Sequence, residues 1–183
     1  GGVPTWLSTG FTCSQITSSG GNYSFTTEDV PNYNSTYFGD CDSRYETIPS
    51  GNSANPNILS AQNFIVTIPT NPSVSNTATD SDLNIVGVAT NGIAFFNNEA
   101  APGDTLADEL VTMDSASGHP TNTGAYHYHN DPTKLTTPNS GSLIGIMMDG
   151  FPVYGTKEAN GTTTPVYVSA NVSTCTPSEV NDQ

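Results

Sequence analysis

The chain has 183 residues, 34% of them hydrophobic and 11% charged, with 3 Lys plus Arg against 17 Asp plus Glu for a formal net charge of −14. That length and apolar content supply one real core, so a single domain over 1–183 is expected. The charge repels a phosphate backbone and anionic lipid, which excludes nucleic acid and membrane surfaces as partners and leaves divalent cations as attractive ones.

The first twenty residues read as an arm, with Trp6, Leu7 and Phe11 in an otherwise polar stretch. These side chains need a sheet to bury against. Either their own chain supplies it or a neighbouring copy does, by addition of the arm as a strand to an open sheet edge. The opening Gly1-Gly2-Val3-Pro4 lacks Met and a basic, apolar leader, and the surface is rich in Ser, Thr, Asn and Gly. Together these predict an extracellular or cell-surface protein whose signal segment has been removed. No apolar run approaches the roughly 18 residues needed to cross a bilayer.

Cys13, Cys41 and Cys175 are an odd number, so at most one internal disulfide is expected. Proximity favours Cys13 with Cys41, leaving a thiol free or bonded to another chain. Loops are predicted at 18–22 and 49–57 from their Gly, Ser and Asn content, and "GDCDSRYE" (39–46) reads as a solvated ion-pair cluster around Arg44. "NFIVTIP" (63–69) places Phe64, Val66 and Ile68 on one face of a strand. "DSDLN" spaces Asp80, Asp82 and Asn84 like the start of a calcium loop, yet Ile85 and Asn91 stand where an EF-hand needs Gly and Glu, so only a looser calcium site remains.

"LNIVGVATNGIAFFNN" (83–98) is strand, Asn91-Gly92 turn, strand. "DTLADELVTM" (104–113) alone has helical character, with Asp104 as its cap. "SLIGIMMDGFPVYG" (142–155) is a second hairpin turning at Asp149-Gly150, its Pro152 suited to an edge. "TPVYVSANVS" (164–173) is a late strand within the C-terminal strand and tail, 156–183. Sequons at Asn22, Asn34, Asn160 and Asn171 are candidate glycosylation sites. The expected fold is all-β, an antiparallel sandwich or barrel-like domain with at most one short helix and an extended N-terminal arm over 1–20.

All three histidines fall within eleven residues. On a strand His127 and His129 share one face and Tyr126 and Tyr128 the other. His119, eight residues upstream across a turn-rich stretch, is the third imidazole a firm metal site needs. Asp114, Asp131 and Asp149 are carboxylates that could ligate or orient. Three imidazoles suit zinc or copper. Lone histidines that hydrogen-bond to carbonyls are the plainer alternative. No Gly-x-Ser-x-Gly elbow is present to mark a serine hydrolase.

"SGHPTNTGAYHYHNDP" (117–132) followed by "GSLIGIMMDGFPVYG" (141–155), with "VATNGIAFFNNEA" upstream, resembles the YHYH domain of exported, mostly bacterial proteins over roughly residues 84–155. The resemblance implies export, a β-rich fold and a functional cluster at His119, His127 and His129 with Asp149 nearby. It implies no reaction. Two readings follow. In one, the chain is an exported structural subunit that assembles with itself into a filament or surface layer, the cluster binding an ion that stiffens it. In the other, it is a secreted metalloenzyme, or a soluble metal-binding protein, using the same histidines.

Overall fold

Alternation with a period of two sends successive side chains to opposite faces. The computed structural model describes residues 2–75, 77, 81, 83–135 and 142–155, and in it that pattern becomes two sheets. β1 (Gln15–Ser19), β2 (Asn22–Thr27) and β3 (Phe64–Pro69) form a three-stranded antiparallel sheet in that order. β4 (Ile85–Ala89), β5 (Ala94–Phe96), β6 (Gly118–Pro120), β7 (Tyr126–Tyr128), β8 (Leu143–Met147) and β9 (Pro152–Tyr154) form a second sheet, ordered β6-β7-β5-β4-β8-β9. Among these described strands only β5 and β7 pair in parallel. The fold is all-β and sandwich-like, with two short helices where at most one was expected: α1 (Thr5–Gly10) and α2 (Leu106–Leu110).

The predicted hairpins are present. Gly92, at φ +84, completes the turn between β4 and β5 in a conformation that L side chains avoid. The Asp149-Gly150 turn joins β8 to β9, and Pro152 lies on that edge strand.

The sheets meet through Phe25, Val66 and Ile68 on one side and Val88 and Ile146 on the other. α1 closes the same core with Leu7 and Phe11, at 0% and 1% exposure. Full burial of such a side chain is worth about 1.5–3 kcal/mol, so the arm is held by its own chain. It is also helical at Thr5–Gly10 rather than extended, because the Pro4 carbonyl accepts both the Leu7 and Ser8 N–H groups at 3.1 Å. Ala89 faces the other way from Val88 and joins Tyr37, Leu59, Ile93, Phe95, Tyr126, Tyr128 and Ile144 in a second cluster.

Several expectations are corrected or fall elsewhere. Cys13 and Cys41 are free, exposed thiols. Closeness in sequence does not join them, since Cys13 follows α1 into the first sheet while Cys41 follows a 3-10 turn whose Tyr37 packs into the second cluster. α2 is capped by Thr105 rather than Asp104, in a reciprocal capping box with Asp108. Asp42 pairs with Arg44 at 3.0 Å, whereas Glu46 turns to Lys134 at 2.9 Å. Asn84 is exposed and its Oδ1 accepts the Ile85 N–H. Asn22 is half-buried in β2 and Asn34 is exposed. Asp80, Asp82, Asn160, Asn171, Cys175 and the strand expected at 164–173 lie outside the described residues. Among the described residues, no helix is long and apolar enough to cross a membrane.

Candidate metal centre

The stretch between β6 and β7 folds back through bonds from Gly124 N–H to Thr121 O (3.0 Å) and from Thr121 N–H to Ala125 O (2.9 Å). That register sets His119 directly opposite His127. Strand alternation then puts His129 beside His127, with Phe96 of β5 stacked on the His127 ring at 4.0 Å between centroids. Nε2 of His127 lies 3.1 Å from Nε2 of His119 and 3.0 Å from Nε2 of His129.

A fourth group arrives from α2. Glu109 Oε2 lies 3.2 Å from Nε2 of both His119 and His129. The four ligand atoms fall within 4.8 Å of one another. The imidazoles are enclosed, with the His119 and His129 side chains 5% and 3% exposed, against 15% for Glu109.

The partners of the other ring nitrogens decide what this cluster can do. Nδ1 of His127 faces Ala125 O at 3.1 Å and Nδ1 of His129 faces Asn97 O at 2.6 Å. A carbonyl only accepts, so both Nδ1 atoms carry the proton and both Nε2 atoms present a lone pair. Thr112 Oγ1 donates to Glu109 O at 2.8 Å and therefore accepts from Nδ1 of His119 at 2.6 Å. Three lone pairs and a carboxylate thus converge with no proton between them. A proton on His119 or His127 would relieve that repulsion. Burial instead pulls His119 down to about 4, against the pull of Glu109, and holds His127 well below the usual histidine range. A metal cation is the group that fits. Imidazoles oriented by carbonyl and hydroxyl acceptors are the arrangement metal-binding histidines adopt.

The opposite face of β7 is a different kind of site. Asn91 Nδ2 donates to Tyr128 OH (3.1 Å), Tyr128 shares a short hydrogen bond with Tyr33, Tyr33 OH donates to Tyr126 OH (3.4 Å), and Tyr126 OH donates to Asp114 Oδ2 (2.8 Å). Burial holds all three phenols well above their ordinary range, so they stay protonated and each link keeps its donor. Asp114 also accepts from Ser35 Oγ and from the Ala116 and Gly118 N–H groups, and burial raises its pKa. It therefore closes the turn that feeds β6 and anchors Tyr126. A Cβ at Gly118 would overlap the Tyr126 ring, so glycine lets that phenol cross β6.

Of the residues singled out in the sequence, His119, His127 and His129 come together. Asp114 is committed behind the strand, and Asp149 is exposed in the β8–β9 turn, where Oδ1 accepts the Phe151 N–H. Glu109 was missed. Its signal lay in the helical stretch 104–113, which carries Glu109 and Thr112 one turn apart.

Comparison with known proteins adds the family. Searches of curated proteins and of solved structures each return no significant match. A family model described as YHYH protein matches residues 65–179. That span exceeds half the chain and includes β4 through β9, β3 from its second residue, and all three histidines. The chain belongs to the YHYH protein family.

Proposed function

We propose that this protein binds one transition-metal ion, zinc or copper, through His119, His127, His129 and Glu109, and that the ion ties the 97–112 segment to the histidine strands of an exported, self-assembling β subunit. The carrying observation is the set of three fixed tautomers, which aims three lone pairs and one carboxylate at a common point. Isothermal titration of chelator-treated protein with zinc or copper should give one equivalent, lost in His127→Ala. Absence of stoichiometric uptake by the parent protein would overturn the metal reading.

Self-assembly is favoured by a separate feature. Among the described residues β3 pairs only with β2, its residues carry no charge, and Ile65 is 66% exposed. An uncharged, open edge is a template for strand addition. With Leu7 and Phe11 buried in their own core, this edge is a better contact for a second copy than the N-terminal arm, which leaves only Trp6 exposed among its large apolar side chains. Electron microscopy of the secreted protein, with and without chelator, tests both parts. Filaments that disperse on chelation are expected. Single particles under both conditions would exclude the filament and leave the metalloenzyme and soluble metal-binding readings.

A further inference from the structure

The four donor atoms close a ring of short neighbours. Glu109 Oε2 neighbours His119 and His129, and both of these neighbour His127, at distances between 3.0 and 3.2 Å. His127 and Glu109 consequently face each other across the ring, as do His119 and His129. The imidazole centroids keep the same order: 4.6 and 4.8 Å for the neighbouring pairs, 5.5 Å for the pair across. Donors about 2.0–2.1 Å from a tetrahedral ion would all be roughly 3.3–3.4 Å apart, with no pair singled out. Four donors in one plane at that bond length give edges of about 2.9 Å and diagonals of about 4.1 Å. His127 and Glu109 form no ion pair, unlike His119 and His129 with the same carboxylate, and no separation in the set exceeds 4.8 Å, which brings it nearer the second pattern than the first.

Planar or tetragonal sets of nitrogen and oxygen donors suit copper(II), whereas zinc in a closed site prefers the tetrahedron. We propose that this site holds copper(II) in a tetragonal ring of His119, His127, His129 and Glu109, with a coordination position on the ring axis that takes a small monodentate ligand, water or an anion. The assignment rests on the metal reading above and goes beyond it in naming both the ion and an exchangeable ligand. Access is asymmetric. The three imidazoles are fixed by Thr112, Ala125 and Asn97. Glu109 rides on α2, a five-residue helix with no buried residue, and is the more exposed ligand. Among the described residues its Oε1 bonds only to the Ala101 N–H of the same surface segment, at 3.1 Å. A small ligand reaches the ion past Glu109.

The test uses the full chain loaded separately with copper(II) and with cobalt(II), then titrated with azide. One equivalent should bind. Copper(II) should give an axial paramagnetic resonance spectrum, and cobalt(II) the weak visible absorption of five or six ligands. Azide should shift both spectra to saturation. Intense tetrahedral cobalt(II) bands, or spectra that azide leaves unmoved, would overturn the tetragonal, exchangeable centre while leaving metal binding intact. Failure to take up either ion would overturn the metal reading itself. His127→Ala, loaded in parallel, reports ions held by the exposed thiols of Cys13 and Cys41. The same spectra and azide response from that variant would also overturn the proposal.

Discussion

Thr112 controls the protonation pattern of the histidine cluster without being one of its four candidate ligands. Its hydroxyl hydrogen is used by Glu109 O, which leaves an oxygen lone pair as the acceptor for Nδ1 of His119. Thr112→Val keeps the shape and removes the acceptor. The His119 proton then has no partner at Nδ1 and moves to Nε2, where it occupies the lone pair that would bind metal. Losing such an orienting partner typically weakens metal binding about 10–100-fold, and competition against a chromophoric chelator should read that loss. Unchanged affinity would mean that the tautomer is fixed by something else. The histidines themselves were legible because all three in the chain fall within eleven residues, two of them on one face of a strand. Glu109 was not, because its approach depends on where α2 docks. Asp114 is nearer His119 in sequence, but both its oxygens are taken by Ser35, Tyr126, Ala116 and Gly118.

The element that positions His127 is the parallel pair β5–β7, and a carboxyl from outside the sheet fixes it. Asp29, in the segment after β2, is 1% exposed. It accepts the Ala94 N–H at 2.9 Å, while its other oxygen has no hydrogen-bond partner among the described residues. Ala94 is the register partner of His127, so this carboxyl braces the strand against which the ligand strand is set. Burial raises its pKa to about 8, against the opposing pull of the Ala94 and Tyr126 backbone groups. Below about pH 4 it is protonated whether the chain is folded or unfolded. Between about 4 and 8 the unfolded chain releases the proton and the folded one keeps it. Stability therefore falls as pH rises through that window, by up to about 1.4 kcal/mol per pH unit, and levels off above it. Asp29→Asn lacks the titration. The stability difference between the parent protein and this variant, from denaturant melts across pH 4–9, should carry that slope, and a flat difference would show that Asp29 is already ionised. The antiparallel hairpins were readable from alternation and turn residues. The β5–β7 pairing was not, because a parallel neighbour is reached through a long crossover that leaves no local signature. α1 escaped for a related reason: six residues are too few to display a helical period.

At the scale of the whole molecule, a net charge of −14 works against compactness and against association of copies. A cation bound at the proposed site would offset part of that charge and fasten α2, which buries nothing of its own, to the sheet. Linkage sets the size of the effect. An ion that binds only the folded chain stabilises it by about 2.7 kcal/mol at a free concentration one hundred times its dissociation constant. For a domain of this length each kcal/mol moves the melting temperature by roughly 2–4 °C, so saturation should raise it by roughly 5–11 °C over the chelated protein. Calorimetric scans of the full chain at fixed pH, with and without metal, measure the shift. His127→Ala separates the centre from the rest of an acidic surface that attracts cations anywhere, because the variant keeps every carboxylate and thiol and loses one imidazole. No shift in the variant assigns the stabilisation to the histidine ring, whereas an equal shift would place the ion elsewhere and detach the histidines from the stability of the fold.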